Sequence, residues 1–468
     1  MRIYSLDFHQ QKINVVTVDL TLMPGLPSLH LLGDVSRELR EIGPKLKSAL
    51  LRQGFKWPRT RQVVVDVRTP SGHVGREAEL AILVALLRST GQIENVAEAQ
   101  DAYFVGEISL DGQVQAPAWL SVAEQLIQDR KIISGLGANQ HFIENLAQIH
   151  QPKTKICDTT PIKWTRPALQ EIWFSLQTAE FIALVAAGEH HALFAGPPGS
   201  GKTTVVECLH QLLPDLSFEQ QKALLTTHQL YGETVDWRPC ISPHHSSGAL
   251  AILGGGTPPQ PGEVTRAHGG ILFLDEYLEF SPRVQEALRE PLERSVIRVA
   301  RGPRAALFPA DFQLLAATNL CPCGNLAPGR RDSCPSSLSR CRSSVDRLSG
   351  PMLDRFQVVA LSHQWQGPRT ISLKQIHDQV QQAVLHRKAR SQEIPNRKLT
   401  VRDLESRLVL GALDGVDLTG SERRKQSLLR VAQTLADLSG SVTIDFEHIS
   451  RALTYTLHPL HELTHLFA

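Results

Sequence analysis

Cysteine is scarce in this sequence: seven in 468 residues, four of them inside one stretch, TNLCPCGNLAPGRRDSCPSSLSRC, Thr318 to Cys341. A chain this long with so few cysteines is not held by a disulfide framework. Long apolar runs are lacking as well. The longest, Leu80 to Leu87, falls far short of the roughly 20 residues that cross a bilayer, so no membrane association is expected. The N-terminal MRIYSLDFHQQKINVV has neither an apolar h-region nor a small-residue cleavage site. No signal peptide is expected, and the expected location is cytoplasmic, where thiols stay reduced. Net charge is nearly absent, +2, and says nothing about partners. Internal repeats and low-complexity tracts are missing too.

What is present is the composition of an ordinary soluble globular protein, 42% hydrophobic and 21% charged, with length for two or three domains. Residues 1–165 read as a mixed α/β unit. IYSLDF, INVVTVDL and RQVVVDVRT carry strand-like β-branched alternation, while VSRELREIGPKLKSALLRQGF and AELAILVALLRSTGQ carry helical spacing. The polar, proline-bearing HQPKTKICDTTPIKWTRP, His150 to Pro167, predicts a boundary. Residues 166–362 alternate strand, loop and helix, the pattern of a layered α/β domain on a mostly parallel sheet. From 363 to 468 the strand signal disappears and a helical bundle is expected.

The strand HALFA runs into GPPGSGKTT (Gly196, Pro197, Pro198, Gly199, Ser200, Gly201, Lys202, Thr203 and Thr204) and on into VVECLHQLL. This is G-x-x-x-x-G-K-[ST] between a strand and a helix, a P-loop. Its glycines let backbone N–H groups curl around phosphate oxygens at a helix N-terminus. Lys202 can reach the β- and γ-phosphates of ATP, and the Thr203 hydroxyl can ligate Mg²⁺. The second apolar strand, ILFL, ends in Asp275 and Glu276. There Asp275 can complete the Mg²⁺ shell and Glu276 can polarise the attacking water. SPRVQEALREPLE is expected to follow as a helix capped by Ser281. A third strand, FQLLAATN, ends in Asn319, within reach of the attacking water or the γ-phosphate. His244 and His245 read as loop residues.

GPPGSGKT, ILFLDE, AATN, SGPMLDRF and the late SER resemble an AAA+ ATPase of the Mg-chelatase-like class. More narrowly, SPHHSSGALAILGGGTPPQPGEVTRAHGGILFLDEYLEF and TNLCPCG…SGPMLDRF resemble the ComM/YifB family. The resemblance covers nearly the whole chain and is strongest from about 190 to 357. It implies an AAA+ P-loop αβα core, an N-terminal Lon-protease-like α/β domain and a C-terminal helical lid. It also implies a homo-hexameric, ATP-driven helicase acting on single-stranded or branched DNA, promoting branch migration in natural transformation and recombination. By position, Asn319 is implied as sensor 1 and Arg355 as the arginine finger reaching a neighbouring subunit. Arg423 is implied as sensor 2, with Arg424 an adjacent competitor.

Two segments depart from the family. RTPSGHVGREAEL offers Ser71 alone and no lysine where a Ser-Lys dyad would need one, so no peptidase is expected. FSLQTAEF, Phe174 to Phe181, replaces the usual Gly-Gln entry to the nucleotide site, which leaves adenine recognition open.

The cysteine stretch lies between the third strand and Arg355. Cys321, Cys323, Cys334 and Cys341 are enough thiolates for a tetrahedral structural zinc, and reduced, unliganded thiols are the other reading. Family members carry similar cysteines, which implies the zinc. Nine arginines lie between Arg294 and Arg347 against three aspartates and no lysine, a local balance of +6. Arg298, Arg301 and Arg304 load one expected hairpin, RSVIRVARGPRAALF. Arginines without interleaved aromatics suit contact with a nucleic-acid backbone more than base reading. Two rival functions stand beside a DNA motor: an Mg-chelatase-type ATPase remodelling a protein partner, and a scaffold using ATP only to assemble.

Overall fold

Alternating β-branched residues build the first sheet. Strands β1 (Arg2–His9), β2 (Lys12–Pro24), β3 (Leu29–Gly33) and β4 (Arg61–Arg68) are joined by the shorter β5 (Ala102–Phe104), β6 (Lys131–Ser134), β7 (His141–Phe142) and β8 (Lys153–Thr154). Their spatial order is β8-β7-β6-β5-β1-β2-β4-β3. In β4 Val63, Val65 and Val67 are buried and their neighbours are not, the period of two that turns one face to the core. Helix α1 (Gly43–Arg52) starts at the Gly-Pro that interrupts the helical pattern, with Pro44 in its first turn. Helix α2 (Glu79–Ser89) is buried almost all round. Glu79 at its start has no exposed side-chain surface, and its charge is met by Lys45 at 2.7 Å and Arg76 at 3.0 Å. Ser71 donates to Asp7 at 2.7 Å.

The computed structural model describes all residues except 10–11, 73, 94–101, 118, 121–122, 125–126, 128–129, 136–140, 151, 155–163, 231–232, 234, 257–259, 302–303, 322–325, 327–337, 349–351, 366, 415–420 and 466–468. The chain forms two compact units, Met1–Lys163 with Leu225–Thr234, and Trp164–Leu224 with Val235–Ala468.

The second unit is built on a five-stranded sheet. Its strands are β9 (Ala192–Ala195), β10 (Cys240–Ile241), β11 (Ile271–Leu274), β14 (Gln313–Thr318) and β15 (Val358–Leu361); a separate antiparallel hairpin pairs β12 (Val296–Arg301) with β13 (Arg304–Pro309). The sheet order is β10-β11-β14-β9-β15 with every pair parallel. Strands β9, β11, β14 and β15 are buried along their whole length, as a sheet covered on both faces requires. Helices α3 (Leu176–Gly188) and α4 (Lys202–Leu212) belong to the covering layers, and α5 (Leu373–Ala389), α6 (Glu422–Ser439), α7 (Phe446–Thr456) and α8 (His458–His465) follow. One apolar core runs from Phe181 and Phe194 through Leu315 and Val358 to Ile376, Leu428 and Ile449. It is continuous across position 362.

Two sequence expectations need correction. The stretch after Ser281 is not one helix but two, Pro282–Ala287 and Arg289–Arg294. Pro291 has no N–H to give the carbonyl of Ala287, so the first helix ends there. Ser281 caps as expected, its hydroxyl accepting from the Val284 N–H. The strand signal also does not end at 363: Ile371–Ser372 pairs with Trp173–Phe174, a ladder too short to leave a periodic pattern. Among the described residues no helix is long and apolar enough to cross a membrane.

Candidate nucleotide site

Strand β9 delivers the P-loop to the carboxyl edge of the sheet. Gly196 follows directly, and a Cβ there would meet Ser362 Oγ at 1.8 Å, so only glycine fits. Gly199 and Gly201 hold left-handed φ of +73° and +84° with open space beside them, a concave backbone that a phosphate can enter. Lys202 opens α4 and is only 9% exposed. Its Nζ donates to the carbonyls of Gly196 at 3.0 Å and Pro197 at 2.8 Å. The third direction is Asn319 Oδ1 at 3.3 Å. Burial pushes the Lys202 pKa down, and the Asp275 carboxylate pulls it back up. Thr203 is exposed in the same first turn.

Register explains why these residues meet. Ala195 on β9 pairs with Thr318 on β14, and Ala316 on β14 pairs with Leu274 on β11. The residues after each strand, Gly196, Asn319 and Asp275, therefore leave the sheet side by side. The hydroxyl of Thr203 and the carboxylate of Asp275 are hard oxygen donors, the chemistry Mg²⁺ takes alongside phosphate oxygens and water. Glu276 sits in the left-handed region at φ 52°, unusual for a side chain with a Cβ.

Glu276 has a neighbour that sequence reasoning missed. Its Oε2 lies 3.0 Å from His245 Nδ1. The signal was available in the topology: β10 pairs in register with β11, so the loop that leaves Ile241 emerges beside Asp275 and Glu276. A cavity of about 200 Å³ joins Glu276, Asn319, Cys321 and Arg347, adding one of the nine arginines to this edge. The Arg347 guanidinium donates to the Leu278 carbonyl.

Arg355 and Arg423 are placed elsewhere. Both donate to Glu293 Oε1, at 2.5 and 2.6 Å. Burial pushes the Glu293 carboxyl up, but the two guanidiniums together hold it below the usual range. Arg355 precedes β15, which runs parallel to β9 with Ala192 opposite Val358 and Ala195 opposite Leu361. The P-loop leaves one end of these strands and Arg355 enters at the other. Four paired residues at about 3.3 Å each separate the two ends by about 13 Å. Arg424 is structural: it is 6% exposed, with Nε on Asp354 at 2.9 Å and Nη1 on the Phe356 carbonyl at 3.1 Å.

The remaining expected sites are placed in part. Cys321 and Cys341 are both buried and in no disulfide; Cys323 and Cys334 lie outside the described residues. Among the described residues, no three His, Cys, Asp or Glu side chains gather as metal ligands. Arg298 is exposed, and Arg301 pairs with Arg304 in the hairpin; the side chains of Arg301 and Arg304 lie outside the described residues.

Comparison with known proteins covers all three regions. Residues 168–367 match the family described as magnesium chelatase, subunit ChlI; residues 16–132 match subunit ChlI of Mg-chelatase, and residues 371–456 its C-terminal part. The chain is 31% identical over 481 residues to the uncharacterized protein YifB of Escherichia coli, covering 94% of each. It is 30% identical over 486 residues to the competence protein ComM of Haemophilus influenzae, again covering 94% of each. Lon protease 2 of Bacillus subtilis is 29% identical over 180 residues, 32% of each chain. Matches that run nearly end to end, around a sheet that brings the P-loop, the Asp-Glu pair and Asn319 to one edge, make this chain a member of the ComM/YifB family of Mg-chelatase-like AAA+ ATPases.

Proposed function

We propose that the chain is an ATP-driven motor that assembles as a homo-hexameric ring and moves branched or single-stranded DNA. The observation that carries the ring is the placement of Arg355. It stands at the sheet edge opposite its own P-loop, so the phosphate it serves belongs to a neighbouring subunit. Arg423 shares Glu293 with it and serves the same neighbour. Within each subunit, Lys202 binds the β- and γ-phosphates, Thr203 and Asp275 hold Mg²⁺, Glu276 orients and polarises the attacking water, and Asn319 fixes that water's position. The P-loop residues from Gly199 to Thr204 supply backbone N–H groups to the phosphates, Pro197 and Pro198 having none to give. ATP with bound Mg²⁺ supplies the leaving group and its charge neutralisation.

DNA is the proposed load because Arg298, Arg301 and Arg304 cluster on one hairpin and a similar chain is named a competence protein. Guanidiniums on an antiparallel ribbon suit phosphates of any sequence. Replacing all three by Ala should weaken DNA binding by a similar factor on every sequence and flatten its salt dependence by about one unit per lost phosphate contact. An intact ring with unchanged DNA affinity would remove the hairpin from this role. A structural zinc on Cys321, Cys323, Cys334 and Cys341 belongs to the same proposal. Burial of Cys321 and Cys341 fits it, and the zinc content of the purified chain tests it.

A further inference from the structure

The edge of the five-stranded sheet away from the P-loop carries a cavity of about 540 Å³, within the size range of small-molecule sites. Its floor comes from residues that precede the strands: Glu189 before β9, Arg238 before β10, Gly269 before β11 and Asp311 before β14. Its opposite wall comes from the end of α5 and the segment after it, including Arg387, Lys388 and Arg397. Nucleotide chemistry at the other edge uses none of these side chains.

One buried cation of this cavity, Arg387, has its neighbouring carboxylates engaged by other side chains. Arg238 donates to Glu189 at 2.7 Å, and Asp311 is shared by Arg397 at 2.9 Å and Lys398 at 2.5 Å. Both carboxylates are thereby taken. Arg387 is 5% exposed, yet among the described residues its Nη1 reaches only a backbone carbonyl, that of Ala187 at 3.3 Å, and its Nε has no partner. Glu189 is thus bound by Arg238 and the nearby Asp437 by Arg390, and the two further carboxylates of the lining, Asp215 and Glu393, are exposed, so Arg387 lines the cavity as a buried cation whose neighbouring carboxylates are already engaged. Burying a guanidinium without an ion pair of its own is unfavourable, and burial pushes the Arg387 pKa down despite the nearby charges of Glu189 and Asp437. Lys388 stands exposed at the rim.

We propose that this cavity binds a small anion bearing a phosphate or carboxylate group, with the Arg387 guanidinium as its principal partner and Lys388 at its mouth. The ligand would tie the strand-entry residues to the end of α5, joining the parallel-sheet layer to the C-terminal helices. Guanidinium forks match both anion types in planar, paired hydrogen bonds.

The test uses the full chain with Lys202→Ala, which weakens the P-loop's own hold on phosphates. Isothermal titration with pyrophosphate and, separately, with citrate should show one site per chain for at least one of them. Preference for pyrophosphate assigns a phosphate ligand, and preference for citrate a carboxylate. Adding Arg387→Gln should weaken that binding at least tenfold. If Arg387→Gln fails to fold, Lys388→Glu, an exposed change at the rim, should weaken it similarly. Binding of neither probe, or affinity unchanged by the variant, would overturn the proposal.

Discussion

Arg355 and Arg423 converge on a single oxygen of Glu293, at 2.5 and 2.6 Å. A triphosphate offers these guanidiniums more charge than Glu293 does, so on the proposed reading both exchange to it. Arg355→Ala should leave ATP binding intact and lower turnover by about 10³-fold. Mixing that variant with Lys202→Ala should restore part of the activity, since each subunit then supplies what its neighbour lacks. Mixed rings that form and stay inactive at every ratio would place the arginine's action within its own subunit.

The adjacent arginines Arg423 and Arg424 should separate cleanly. Arg424→Ala leaves Asp354 and two backbone carbonyls without their buried partner, a loss of about 3 kcal/mol of stability. Arg423 is half exposed, so Arg423→Ala should keep the thermal midpoint and lower turnover. Denaturation curves beside steady-state rates decide it. A loss of stability in Arg423→Ala, with Arg424→Ala unaffected, would reverse the assignment.

Glu276→Gln should bind ATP and fail to hydrolyse it, because the P-loop and Asp275 survive while water activation is lost. Nucleotide binding with turnover near wild type would remove Glu276 from that role. The contact with His245 adds a second expectation. While the imidazole holds Glu276 Oε2, the carboxylate is not free to take a proton from water. His245→Ala should raise basal turnover severalfold, and a fall would mean that the imidazole instead orients Glu276 for catalysis.

How much of this was legible in the sequence depends on distance along the chain. Gly196 to Thr204 and the strand before Asp275 are local patterns, and spacing alone places them. Ser281 as a cap is local too. The His245 contact joins two loops that only the pairing of β10 with β11 brings together. Glu293 meets partners 62 and 130 positions away, through ordinary charged residues that carry no motif. The core shared between the sheet and the C-terminal helices is equally silent, since Ile376 and Leu428 read as helix faces without saying what they face. Pro291's effect on the helix before it was readable and was missed.

Acid should weaken the second unit before carboxylates titrate. Burial lowers the pKa of His190 to about 4, against a hydrogen bond to Gln357 that raises it, and burial likewise holds His191 well below its ordinary value. The His190 Nδ1–H donates to Gln357 Oε1 at 3.0 Å, which leaves Nε2 to accept from Thr434 at 2.8 Å. A folded-state pKa below the unfolded one means stability is complete above pH 6.5 and falls as pH drops towards 4. Between pH 7 and 5.5 His190 alone should remove about 1 kcal/mol. Urea unfolding at both pH values should show that loss shrinking in His190→Gln. An unchanged loss in that variant would assign the dependence to other groups.

The central claim is that ATP hydrolysis at Lys202, Asp275 and Glu276 is coupled to DNA. Steady-state ATP turnover of the full chain, with and without a branched DNA substrate, tests it most directly. The account predicts that DNA raises the rate severalfold and that Glu276→Gln removes both the basal and the stimulated activity. Robust turnover indifferent to single-stranded and branched DNA alike would contradict it and leave a protein-remodelling ATPase in its place.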